Sequence, residues 1–268
     1  MATRVTRKQS GDHVIYLYGI SKAVAGPKKP LSIFGVDGEA PVERLTVAGL
    51  ACWISRVSKS EFADKLVSNM QNLDWLAKVS VNHQRVVSAI AQKTSILPTR
   101  FGTVFLQERT LKNYVANDKR SLQKELMRIN GMDEWGIKVF AIRPAIPKTV
   151  AAKSGKDYLR AKAAQLQSRN SRLEGPELEG FLTALGNLAK EIAEGGAVTA
   201  AQPGLEWHGS VLLRRRARGR FTNLMGRLSR AWHGVHRIEC TGPWPPYSFV
   251  HRIEANGEGA NRKETDAR

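Results

Sequence analysis

Three prolines in four positions, Pro243, Pro245 and Pro246, sit inside the stretch Thr241-Gly242-Pro243-Trp244-Pro245-Pro246-Tyr247-Ser248-Phe249-Val250. Each proline holds φ near −65° and lacks a backbone donor, which excludes this stretch from a helix interior or a central strand. The segment must be stiff and extended, presenting Trp244 and Tyr247 in set directions. Just upstream, Arg237-Ile238-Glu239-Cys240 alternates as a strand, so the proline block is expected to end a strand at a sheet edge. It can serve as a hydrophobic plug over the last core or as a rigid aromatic docking surface, and the two uses are compatible.

A chain of 268 residues, 42% hydrophobic, is long enough for two domains of ordinary size. Its longest nearly apolar run, Val47 to Ile54, falls far short of the roughly 20 residues a membrane span needs. No apolar signal core follows the basic Met1-Ala2-Thr3-Arg4, so the sequence predicts a cytoplasmic protein without a membrane segment. Cys52 and Cys240 each lie in an apolar strand-like segment and are expected as small buried hydrophobes, not as a disulfide or metal pair. The 42 basic residues against 24 acidic ones, a net +18, favour acidic partners.

Residues 1–11 look like a disordered basic arm. Val14 to Ile20 reads as a buried first strand, Ile33 to Gly38 as a short strand and turn, and Leu45 to Val57 as a hairpin broken near Gly49. A helical pattern begins at Ser60-Glu61. A stronger helix covers about Asp74 to Gln92, with Leu76, Val79, His83, Val87 and Ile90 on one face. On that stripe His83 is expected as a satisfied core histidine, since no Cys, Asp or Glu stands at metal-ligand spacing to it. A strand over Ile96 to Phe105 and a basic helix over Glu108 to Ile129 complete a first α+β domain, 12–130.

The second half predicts a strand over Glu134 to Ile142, helices at about 155–170 and 177–194, strands at 197–202 and 206–214, a helix at 220–233 and a last strand at 236–241. That order is a split β-α-β pattern, which points to a ferredoxin-like α+β domain over 131–250. The first domain is expected to be a related α+β unit with an extra hairpin. Residues 251–268 read as a disordered charged tail.

Motifs that carry chemistry are absent. The chain has no glycine-rich phosphate loop, no H-E-x-x-H, no G-x-S-x-G and no paired C-x-x-C, so no catalytic, cofactor or metal residue is assigned and an enzyme is not expected. The main electrostatic feature is Trp207 to Ile238, which carries Arg214, Arg215, Arg216, Arg218, Arg220, Arg227, Arg230 and Arg237 and no acid. It is either a solvated helix face or a patch for phosphates or a carboxylate-rich protein. Phe221 and Trp232 fit the core stripe and not a stacking platform, so nucleic-acid binding is kept only as the alternative.

Five stretches in order resemble one family: Tyr16-Leu17-Tyr18-Gly19-Ile20; Leu97 through Phe105; Glu134-Trp135-Gly136-Ile137-Lys138-Val139; Gly155-Lys156-Asp157-Tyr158-Leu159; and Gly242 through Phe249. Together they are similar to the gas vesicle proteins GvpF/GvpL, over about residues 14 to 250. The resemblance implies a two-domain α+β protein without known catalysis or cofactor, associated with the gas vesicle. Its implied partners are the small major shell protein and other gas vesicle accessory proteins. The expected contacts are Trp244 and Tyr247, held by Pro243, Pro245 and Pro246, with Arg214, Arg215, Arg216 and Arg218 as an electrostatic guide. Phe101, Gly102, Trp135 and Tyr158 are expected to be fold determinants.

Overall fold

The structure is a computed structural model that describes residues 12–23, 31–142, 173–195, 202–251 and 253. The chain divides into two units, one made of the residues up to Asn130 together with those from Val250 onward, the other of Gly131–Phe249.

The first unit is organised around β1 (His13–Lys22), which pairs antiparallel with β4 (Leu50–Ser58), β5 (Ile96–Pro98) and β6 (Val104–Phe105). β2 (Leu31–Phe34) and β3 (Pro41–Val47) extend the sheet in the order β2-β3-β4-β1-β5. A strand buried on both faces should read as a continuous apolar run, and β1 does. Ile15 and Leu17 enter a core with Leu111 and Val115 of α3 (Glu108–Asn117) and Leu122 and Leu126 of α4 (Lys119–Arg128). Tyr16 and Tyr18 face the other way, onto Phe62 and His83. Phe62 belongs to a π-helical turn, Ser60–Asp64, which is followed by the single turn α1 (Leu66–Asn69). His83 lies on α2 (Leu73–Ala91), whose start is set by Asn72, its side-chain oxygen accepting from the Asp74 and Trp75 amides. The β1–β4 register slips between Leu17 and Gly19, a bulge after which Ile20, and not Gly19, joins Ile15 and Leu17 in the core. A Cβ on Gly19 would stand 2.5 Å from the Leu97 carbonyl oxygen, so only glycine fits there.

Two expectations for this unit need correction. The strand expected over Ile96–Phe105 is two short strands, because the chain turns at Phe101-Gly102, where Gly102 has φ +80°. The single basic helix expected over Glu108–Ile129 is α3 and α4, broken at Asp118.

In the second unit β7 (Met132–Ala141) is followed by α5 (Gly175–Gly186), β8 (Ala189–Glu194), β9 (Leu205–Arg214), a 3-10 turn at Arg215–Ala217, α6 (Arg218–Ala231), β10 (His236–Trp244) and a 3-10 turn at Tyr247–Phe249. The strand order is β10-β7-β9-β8, with every neighbour antiparallel. Each helix therefore leads to a strand that is not the neighbour of the one it left, which is the chain path of a split β-α-β pattern. Ile137, Val139, Val211 and Leu213 meet Phe181 and Leu185 of α5 and Phe221 and Leu224 of α6 in one core.

The helix expected over 177–194 ends at Gly186, and residues 189–194 are the edge strand β8. Leu188 and Ile192 continue the helical spacing of Leu178, Phe181 and Leu185, but Gly186-Asn187 stops the helix and Ile192 pairs with Val211. The last strand continues past Thr241, with Trp244 opposite Glu134. Cys52 is buried as expected, its thiol pushed up to about 12 by that burial, whereas Cys240, on the edge strand β10, is exposed and corrects the expectation. The helix expected at 155–170, with Tyr158, the strand at 197–202 except for its last residue, and most of both terminal segments lie outside the described residues.

Candidate interaction surface

After β10 the chain crosses beneath the second sheet as a strap. Pro245 and Pro246 are buried, and Phe249 packs with Met132 and Leu212, close to Ala193 of β8. The strap is fastened by Glu134, only 6% exposed, whose carboxylate accepts from the Ser248 hydroxyl (2.6 Å), the Ser248 amide (2.8 Å) and the Ser210 hydroxyl (2.8 Å). Bonds of this kind to a carboxylate are stronger than those between neutral groups. The strap separates the two aromatic residues expected to act together. Trp244 is 39% exposed, while Tyr247 is half-buried and its phenol is raised by that burial, with Glu134 pushing the same way.

The arginines divide in a similar way. Arg215 Nε lies 3.0 Å from Asp133 Oδ1 and Arg218 Nη2 lies 2.8 Å from Asp133 Oδ2, so one buried carboxylate orients both guanidinium groups. Arg218 also reaches over the Trp135 ring, which tilts against Phe221 as a core residue does. Arg214 and Arg216 are exposed, and their side chains show no hydrogen bond or ion pair among the described residues. Strand register brings the two sets together: Arg214 is opposite Met132 and Trp244 is opposite Glu134, on the strands that flank the first residues of β7. One end of the sheet therefore carries both the exposed indole and the arginines. Asp133 and Glu134, which organise this end, were missed in the sequence because they look like ordinary members of an alternating strand. Paired with Ser248, Arg215 and Arg218, each becomes an anchor.

The sequence model of the family described as Gas vesicle synthesis protein GvpL/GvpF matches residues 14–251. The chain belongs to this family. It is 30% identical to Gas vesicle protein L of Streptomyces sp. (strain CB03234), over 90% of this chain and 94% of that protein. It is 27% identical to Gas vesicle protein F2 of Halobacterium salinarum, over 63% of this chain and 66% of that protein. Its fold resembles the crystal structure of GvpF from Anabaena sp. PCC7120, with a TM-score of 0.65 at 16% identity, covering 92% of this chain and 100% of that one. GvpF from Microcystis aeruginosa gives a TM-score of 0.61 at 18% identity, covering 88% and 98%. This GvpL/GvpF protein is thus an α+β chain of a family that takes part in gas vesicle formation and is not a known enzyme class.

The buried polar groups behind β1 of this GvpL/GvpF chain satisfy one another. His83 is 4% exposed; its Nδ1 is 2.9 Å from the Tyr16 hydroxyl, which accepts from the Gly102 amide at 3.1 Å. Burial lowers the His83 pKa to about 4, while a backbone hydrogen bond to Thr99 pulls the other way. A neutral ring taking the Tyr16 proton at Nδ1 satisfies the whole chain of donors. Beside it Tyr18 donates to Ser55 Oγ (3.0 Å) and accepts from the Val36 amide (2.7 Å), its phenol pushed up to about 12 by burial. A cavity of about 300 Å³ in the first unit is lined by Phe105, Thr110, Asn113, Tyr114, Asn117 and Asp118, with one acid and no base. Among the described residues no three His, Cys, Asp or Glu side chains converge as a metal site, and no helix is long and apolar enough to cross a membrane.

Proposed function

We propose that this protein is a cytoplasmic, vesicle-associated accessory factor that binds the major gas vesicle shell protein, or the growing shell, during assembly, alongside other gas vesicle accessory proteins. Membership of the GvpL/GvpF family over residues 14–251 carries the reading. Two features support the mode of binding. The edge strand β10 offers backbone groups that a partner strand would satisfy, over the length His236–Thr241 before Pro243 removes a donor. At its far end Trp244 presents an exposed indole next to the arginine-bearing end of β9. In this reading Trp244 is the direct contact and Tyr247 supports the strap that aims it. Arg214 and Arg216 guide the approach, with Arg215 and Arg218 fixed beside them by Asp133. We further take the two units as separate domains, the second of them ferredoxin-like in its chain path.

The test is co-expression with the major shell protein, followed by purification of this chain. The shell protein should co-purify with the wild type and be largely lost from Trp244→Ala, with the melting temperature unchanged. Equal recovery with both chains would sink the edge-and-indole mode. No recovery with either would sink the shell-binding reading itself.

A further inference from the structure

The helical layer of the second unit is divided by charge. α5 exposes Glu177 and Glu179, with Glu174 just before it, and Gly175–Gly186 holds no Lys or Arg. α6 exposes Arg220, Arg227 and Arg230, and Arg218–Ala231 holds no acid. The two helices pack side by side on one core, with Phe181 of α5 and Trp232 at the end of α6 in ring contact at 5.5 Å. Arg230, in the last turn, favours the helix it stands on, but the arginines at its start do not. Arg220 lies in the first turn, where the helix dipole is positive and acidic residues are preferred, and unlike Arg218 beside it has no Asp133 to hold it. A merely solvated face would not need cations there.

We infer that the row running from Arg216 along Arg220 and Arg227 is a docking surface for a carboxylate-rich segment of a protein partner. Arg220 and Arg227 are two helical turns apart, about 10 Å, which matches carboxylates two turns apart on one face of a helical segment. Neither shows a hydrogen bond or ion pair among the described residues, and the planar fork of a guanidinium suits paired recognition of carboxylates. The pairing of Asp133 with Arg215 and Arg218 provides such a contact within the chain at the foot of the row.

Nucleic acid fits this surface less well on two counts. Phe221 and Trp232 are buried, so no exposed ring stands between the arginines of α6 for a base to stack on. A long phosphate backbone laid over the helical layer would also meet Glu177 and Glu179 next door, whereas a short acidic segment following α6 alone avoids them. The inference rests on the reading of this chain as a binder of other gas vesicle proteins, and adds the chemistry of one contact.

Fluorescence anisotropy of the full chain with a labelled glutamate-rich peptide, and separately with a labelled DNA duplex, at near-physiological salt tests it. The triple variant Arg216→Gln, Arg220→Gln, Arg227→Gln should keep its melting temperature, lose about tenfold in peptide affinity and change by less than about twofold for the duplex. Unchanged peptide affinity would overturn the proposal. A loss for the duplex equal to or larger than that for the peptide would assign the row to nucleic acid. A wild-type dimer that the triple variant dissolves in sedimentation would assign it to a second copy of the chain. A failed peptide experiment with the shell protein still co-purifying removes only this surface, whereas loss of both removes the reading beneath it.

Discussion

Each unit buries a polar cluster against its sheet, but with different chemistry. In the first, Tyr16, Tyr18, Ser55 and His83 form a network of uncharged groups, enclosed by Phe62 and the apolar side of α2. In the second, the Glu134 carboxylate is covered by the strap and held by Ser210 and Ser248. A neutral network can sit in the middle of a core because its donors and acceptors are matched and no charge is taken out of water. A carboxylate is better placed under a cover that brings its own donors. The first cluster should therefore govern whether the unit folds, and the second how firmly the segment bearing Trp244 is aimed.

The strongest way to break this comparison is Phe62→Ala. Phe62 is fully buried and touches Tyr16 and Trp75, so removing it should cost about 3–5 kcal/mol. Denaturant unfolding reads this directly, and a loss below about 1 kcal/mol would deny the cluster its central role.

Acid should act on the same cluster next in size. His83 has a folded pKa of about 4, below its ordinary 6.5, so its contribution is complete above about pH 6.5 and is lost as pH falls through that value toward 4. The loss should be on the order of 2–3 kcal/mol and should flatten in His83→Gln. A wild-type stability that is level across this window would contradict the buried neutral ring.

Glu134→Ala sharpens the other side. It should cost about 1–3 kcal/mol locally, freeing the Ser248 amide to exchange with solvent far faster while amides of β1 stay protected. If β1 loosens equally, the two clusters are not independent.

The smallest effect separates the two aromatic residues of the strap. Trp244→Ala should change stability by no more than about 0.5 kcal/mol, since the indole is partly exposed, whereas Tyr247→Ala should cost more. Equal melting curves for the two variants would erase the division between contact and support.

What could be read in the chain follows from where each signal is local. β1 announced itself by an unbroken apolar run, α2 by its stripe, and the edge position of β10 by Pro243, since each depends on neighbours in sequence. β8 was lost because Leu188 and Ile192 satisfy helical spacing and pair with β9 only through the sheet. The roles of Asp133 and Glu134 depend on groups far along the chain, among them Arg215, Arg218 and Ser248, which no local pattern contains. Trp244 and Tyr247 looked equivalent for the same reason: what parts them is a carboxylate on another strand.

The contact of Met132 with Phe249 has a consequence for the neighbouring unit. Those two residues stand at the entry and exit of an insertion, since the first unit's core takes Ile129 from before it and Val250 from after it. While the insertion is folded, its ends act as a closed clasp, and the interrupted unit has only a short gap to bridge. Should the insertion melt, the gap becomes a floppy span of on the order of 100 residues, and closing it costs roughly 3 kcal/mol more. Heat applied to one half would then be felt by the other through the chain alone.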